Sequence, residues 1–236
     1  MTMKGPQTEK IRALFDSIAK DYDKLNHILS LGVDKTWRKR AIKLIAEDRP
    51  QQILDVACGT GDFSIEIAQH TNPETVVTGL DLSSGMLEVM DRKVAEAGLS
   101  GRIFTQQGNS EAMDFAADSF DRVTIAFGIR NFENREVALK EILRVLKPGG
   151  RLVILELSVP SNAVLRWCYK LYFMKVLPWI GGVVSGEKAA YSYLPASVIK
   201  FPGKEEWMSI MSSCGYRDVR HKAFTFGICR MYTGEK

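Results

Sequence analysis

Between residues 51 and 157 the chain alternates short β-branched apolar runs with longer stretches of helical spacing, and this alternation leaves few folds open. QQILDVA, TVVTGLD, RIFTQQ, FDRVTIAF and GRLVILEL read as five strands, with helix-like runs such as 83 to 97 and 133 to 146 beside them. Strands separated by helices of about ten to fifteen residues form βαβ units, which place the strands in a mainly parallel sheet with helices on both faces.

The pattern is different at both ends. Ile11, Leu14, Phe15, Ile18, Tyr22 and Leu25 recur at intervals of three and four, so an apolar stripe runs along an N-terminal helix. A basic helix carrying Trp37, Arg38, Lys39 and Arg40 follows the break at 30 to 34. After residue 160 comes the largely apolar NAVLRWCYKLYFMKVLP, then a stretch rich in Gly and Tyr, a helix from Lys204 and two strand candidates, RDVRHKA and FGICRMY. Those two suit an antiparallel edge hairpin, which brings the sheet to seven strands. The expected organisation is a single domain: an N-terminal helical cover (1–48), a core (49–159), a helical insertion (160–203), and a C-terminal helix with edge strands (204–236).

Apolar content of 45% with 25% charged residues excludes disordered and collagen-like chains. A formal charge of +4 does not call for nucleic acid. The four cysteines form no CxxC pair, and none of the three histidines has a second ligand at metal-binding spacing, so no metal is expected. The N-terminus lacks the apolar core of a signal peptide, which points to the cytoplasm.

ILDVACGTGD, residues 53 to 62, is a strand that ends in a Gly-rich turn and opens a helix. Gly59 and Gly61 let a ligand approach the backbone at the electropositive helix start, and Thr60 adds a hydroxyl. The next strand ends at Asp81, 22 residues beyond Gly59, the spacing at which a carboxylate meets the ribose hydroxyls of an adenosine ligand. The dinucleotide fingerprint needs a third glycine where this chain has Ser64, so weight shifts to a ligand without a pyrophosphate.

DVACGTG followed by the acid of GLDLS resembles the glycine-rich motif of class I S-adenosylmethionine-dependent methyltransferases, with Ala57 where many have a glycine. YDKLNHILSLGVDKTW (22 to 37) and RVLKPGGRLVILELS (144 to 158) are similar to the two signature stretches of the ubiquinone/menaquinone biosynthesis C-methyltransferases, and FGIRN fits the same family. The first stretch departs from the family twice, at Leu25 and Asp34, and no role for a histidine on that loop is carried over. The resemblance implies a Rossmann-like fold and S-adenosylmethionine as cofactor. It also implies that Thr60 and Asp81 contact the methionine and ribose parts, and that Asn109 and Ser110 border the adenine. Ala126 stands where the family often has a serine.

The implied acceptor is a prenylated demethylquinol, demethylmenaquinol or the benzoquinol of ubiquinone synthesis, methylated on a ring carbon. A ring carbon becomes nucleophilic once the neighbouring phenol ionises, and at neutral pH only about one phenol in a thousand has done so. Arg130 and Asn131 leave the fourth strand at the end where ligands of such sheets lie. Arg130 is expected to stabilise the phenolate and Asn131 to bond the other ring oxygen, while Tyr22, Asp23 and His27 are candidates for the base. The alternative for Arg130 is a surface ion pair with Glu133 or Glu136. The 162 to 178 run is shorter than the roughly 20 apolar residues of a span and carries Arg166, Lys170 and Lys175. It suits a membrane interface or a wall for the prenyl tail, with Tyr191 and Tyr193 near the ring; the competing reading packs Trp167, Leu171, Phe173 and Leu177 on the sheet. Other small or lipid acceptors, and a non-catalytic role in a quinone-synthesis assembly, stay open, as do a homodimer and peripheral contact with the inner face of the membrane.

Overall fold

The β-branched runs become strands because their residues alternate between two buried faces. The computed structural model of the chain describes residues 6–19, 22–23, 32–171 and 188–236. In β1 (Gln52–Val56), Leu54 and Val56 pack into one core and Ile53 into the other. Leu152 and Ile154 oppose Val153 and Leu155 in the same way in β5 (Leu146–Leu157). Period-two alternation of apolar residues on both faces requires helices above and below. They are α2 (Asp34–Ile45), α3 (Asp62–His70) and α4 (Ser84–Glu96) on one side, and α5 (Arg135–Val145) and α8 (Lys204–Ser213) on the other. Each fully buried Ile, Leu or Val contributes about 1.5–3 kcal/mol relative to exposure.

The remaining strands are β2 (Val76–Asp81), β3 (Ile103–Gln107), β4 (Phe120–Ala126), β6 (Arg217–Phe224) and β7 (Cys229–Glu235). Their order is β3-β2-β1-β4-β5-β7-β6, parallel from β3 to β5 and antiparallel at β7 and β6. The seven-stranded, mainly parallel sheet with an antiparallel edge hairpin is therefore the one the alternation predicts. The chain steps outward from β1 to β3 and then returns to β4 beside β1. Between the carboxyl ends of β1 and β4 the connections diverge, and sheets of this kind form their ligand crevice there.

Among the described residues there are three further α-helices: α1 (Pro6–Ile18), α6 (Ala163–Leu171) and α7 (Lys188–Lys200). Side-chain caps mark where α4 and α5 begin. Ser83 Oγ accepts from Met86 N at 3.0 Å, and Asn134 Oδ1 accepts from Val137 N at 3.1 Å. On α6, Val164 is 70% exposed and Trp167 66%, and Leu171 is also exposed, so Trp167 and Leu171 do not pack on the sheet. Phe173 and Leu177 lie outside the described residues. Among the described residues no helix is long and apolar enough to cross a membrane.

Candidate active site

The strand-to-helix turn after β1 is built from left-handed backbone: Ala57 has φ +55, Gly59 +56 and Gly61 +83. Asp81, at the end of β2, locks it by accepting from Gly59 N at 2.8 Å and from Ser83 N at 2.9 Å. Burial pushes the Asp81 carboxyl up, and these amide donors pull it back. Below the turn, the register that pairs Asp55 with Thr124 brings Thr124 Oγ1 within 2.8 Å of Asp55, and Ser64 Oγ donates to the same carboxylate at 2.5 Å. Burial raises the Asp55 pKa to about 6 against these two hydroxyls.

A cleft of about 780 Å³, part of it open to solvent, lies above the ends of β1, β2 and β4. Its floor is Val56, Ala57 and Gly59 with Ala126, Phe127 and Gly128. Asp81, Leu82, Ser83 and Met86 form one wall, continued by Gly108, Asn109, Ser110 and Glu111. Thr8, Ile11, Arg12 and Phe15 of α1 cover it together with Tyr22, and Asn131, Phe132 and Glu133 close the far end. The cover is held by carboxylates: Glu133 Oε2 accepts from Thr8 N and Oγ1 at 3.1 and 2.5 Å, and Asp16 Oδ1 accepts from Ser83 Oγ at 2.5 Å.

Of the residues read from the sequence, Gly59, Asp81, Asn109, Ser110, Asn131 and Tyr22 line this one space. Thr60 and Gly61 do not. The Thr60 hydroxyl, expected against the methionine part, donates instead to Asp23 Oδ1 at 2.5 Å. Gly61 turns inward, and a Cβ there would run into the Met90 side chain, so its lack of a side chain serves helix packing.

Arg130 departs most from its expected setting. It sits on a short 3-10 turn, Ile129–Asn131, that follows β4, and only 8% of it is exposed. The guanidinium does not line the cavity as a free cation. Nη1 pairs with Glu156 Oε1 at 2.7 Å and also donates to the Phe127 carbonyl, and Nε donates to Ser197 Oγ at 3.3 Å. Glu156 is fully buried, so the partner is neither Glu133 nor Glu136. Burial works against the charge, but the Glu156 carboxylate together with Tyr22 and Tyr193 outweighs it; the guanidinium stays firmly protonated. The buried pair fixes the turn that presents Asn131 to the cavity, and Tyr193 Oη donates to Asn131 Oδ1 at 2.9 Å. His27 and the Tyr191 side chain lie outside the described residues.

The sequence reading missed Arg12, Ile11 and Phe15 as lining residues. The apolar stripe of α1 was visible, but the face beneath it was not. The residues that line the cavity suit an adenosine ligand. A Cβ at Gly59 would meet only Tyr22 Cε1 at 3.8 Å, so the backbone is open on that side. Asp81 offers acceptor oxygens with capacity beyond the two amides. Asn109 and Ser110 add polar atoms, and Phe15, Leu82 and Met86 supply apolar surface.

A model of the ubiE/COQ5 methyltransferase family matches residues 3–236. The chain belongs to that family. As a ubiE/COQ5 methyltransferase it is an S-adenosylmethionine-dependent C-methyltransferase, in keeping with the polar cavity wall at Asp81, Asn109 and Ser110. The methyltransferase is 49% identical over 236 residues to the ubiquinone/menaquinone biosynthesis C-methyltransferase UbiE of Geobacter sulfurreducens, covering 100% of this chain and 91% of that one. It is 44% identical over 232 residues to the demethylmenaquinone methyltransferase of Bacteroides fragilis, covering 98% and 94%. Solved structures share its fold at low identity. A SAM-dependent methyltransferase from Thermotoga maritima has a TM-score of 0.66 at 18% identity over 95% of this chain and 99% of that one. One from Aquifex aeolicus has 0.59 at 16% over 84% and 88%.

Proposed function

We propose that this methyltransferase places a methyl group on a ring carbon of a prenylated demethylquinol, with demethylmenaquinol as the principal acceptor. The observation that carries the proposal is that one cavity joins the Asp81–Asn109 wall to the Asn131–Tyr22 end, so that a nucleoside and an aromatic ring can meet in the same space. The names of the Bacteroides fragilis and Porphyromonas gingivalis relatives favour the naphthoquinol, and the Geobacter names keep the benzoquinol as a second acceptor.

Bound S-adenosylmethionine supplies an electrophilic methyl on a sulfonium. Asp81 would take the ribose hydroxyls and Asn109 and Ser110 would border the base. Asn131 holds one ring oxygen through its amide, whose Oδ1 already receives Tyr193 Oη. The Arg130–Glu156 pair acts from behind by setting the turn and its dipole. Asp23 is committed to Thr60 and Lys93, which disfavours it as the base and leaves Tyr22 in the cavity as the described candidate. Orientation of the two reactants in such a cleft is worth up to about 7–11 kcal/mol in the best intramolecular cases.

The exposed apolar side of α6, with Val164 and Trp167 outward and Arg166 beside them, supports peripheral contact with the bilayer that holds the acceptor's tail. The test is incubation of purified protein with labelled S-adenosylmethionine and either reduced demethylmenaquinone or its benzenoid counterpart, followed by mass spectrometry of the lipid extract. Label entering the naphthoquinol faster supports the proposal, and label entering neither lipid rejects it.

A further inference from the structure

Tyr22 lines the cavity edge-on to Phe15, and the chain beside it is held from outside the cavity. Its neighbour Asp23 is gripped from two sides: Thr60 Oγ1 donates to Oδ1 at 2.5 Å, and Lys93 Nζ donates to Oδ2 at 2.8 Å. The same ammonium is ion-paired to Asp62, the first residue of α3. Lys93 lies near the end of α4 and touches no part of the cavity. One cation therefore ties together the cover, the start of the helix after the glycine turn and a third helix, across sequence separations of 70 and 31 residues.

This arrangement is more than a solvated surface pair. The Lys93 side chain is 24% exposed and contacts two carboxylates at once. With both Asp23 oxygens engaged, the backbone beside it has little freedom to turn, and that backbone carries the Tyr22 ring 3.8 Å from the Cβ position of Gly59. Asp62 has a second cation in Arg38 at 3.7 Å, and Arg38 also holds Asp34 and Glu66. Loss of Lys93 thus leaves α3 anchored and releases mainly the Asp23–Tyr22 side.

We infer that Lys93 is a positioning residue for cofactor binding: through Asp23 it sets Tyr22 over Gly59. The inference rests on the cofactor reading of the cavity and not on the acceptor. A protein that binds S-adenosylhomocysteine but methylates no quinol still decides it.

The experiment is calorimetric titration of the full chain with S-adenosylhomocysteine in wild type, Lys93→Met, Lys93→Arg, Tyr22→Ala and the double variant Lys93→Met/Tyr22→Ala. Lys93→Met is expected to weaken binding by about 10-fold, within the range for contacts in one network. Lys93→Arg, which keeps the charge, restores most of it. The double variant binds no more weakly than Tyr22→Ala alone, because the lysine acts through the tyrosine. In ligand-free protein, amides of residues 59 to 61, which lie against Tyr22 and Asp23, exchange faster in Lys93→Met and those of β4 do not. Wild-type affinity in Lys93→Met, full additivity in the double variant, or faster exchange throughout the sheet would each overturn the inference.

Discussion

Glu156 is fully buried, and its oxygens take the Arg130 guanidinium, the Arg130 amide at 3.1 Å and the Leu157 amide at 2.8 Å. Neutralising it alone strands a buried cation, a change that costs about 3–5 kcal/mol. Glu156→Gln is therefore expected to lower the unfolding free energy by about that amount in urea titrations. Glu156→Gln/Arg130→Met removes both charges and should recover most of the loss while methyl transfer stays impaired; a double variant as unstable as the single one would contradict the pairing. Ala57 offers the opposite case. Its φ of +55 puts a Cβ in left-handed backbone, at about 1–2 kcal/mol. Ala57→Gly relieves that and loses about 0.5–1 kcal/mol to unfolded-chain entropy. The net expectation is a gain of roughly 0.5–1 kcal/mol, or about 1–4 °C in Tm by calorimetry. The motif FGIRN drew attention to Arg130 and Asn131 in the sequence, but the acid that neutralises Arg130 lies 26 residues on, next to last in an apolar strand, where nothing local marks it as the partner.

At the scale of elements, α5 begins where its cap says it should, and Asn134→Ala is expected to cost about 1 kcal/mol in denaturant melts because Val137 N loses its acceptor. Helix α6 could not be assigned a surface from its composition. Its Trp, Tyr and basic residues suited either a core or an interface, and the exposure of Val164 and Trp167 excludes the core for those two. Trp167→Glu is accordingly expected to reduce co-sedimentation with anionic phospholipid vesicles severalfold and to raise KM for a long-tailed quinol more than for a short-tailed analogue. Unchanged sedimentation would remove α6 from the membrane reading. Helix α1 shows the same division. Its stripe of Ile11, Phe15 and Ile18 announced a helix with one buried side, whereas the Thr8–Glu133 and Asp16–Ser83 bonds that seat it on the cavity join residues 125 and 67 positions apart.

For the whole molecule, the pairing of β1 with β4 that creates the ligand crevice also buries Asp55 between Ser64 and Thr124 and lifts its pKa from 3.8 to about 6. The folded state thus holds this proton more tightly than the unfolded chain does. The stabilisation is fully present below about pH 3.8 and is lost as pH rises through about 6. At about 1.4 kcal/mol per pKa unit, the neutral-pH penalty is on the order of 3 kcal/mol. Asp55→Asn, whose neighbouring hydroxyls can rotate to suit an amide, should gain on wild type by about that much between pH 4 and pH 7 in urea titrations; a constant difference across the range would rule the explanation out. What the sequence alone determined was local and periodic: the strand and helix alternation, the glycine turn and the acid that closes it, each specified within about two dozen residues by side-chain spacing and backbone freedom. Only the tertiary structure decided which acid neutralises Arg130, what occupies the Thr60 hydroxyl and which helix face roofs the cavity. Those are pairings between distant segments, chosen by how the elements pack, and local spacing carries no record of them.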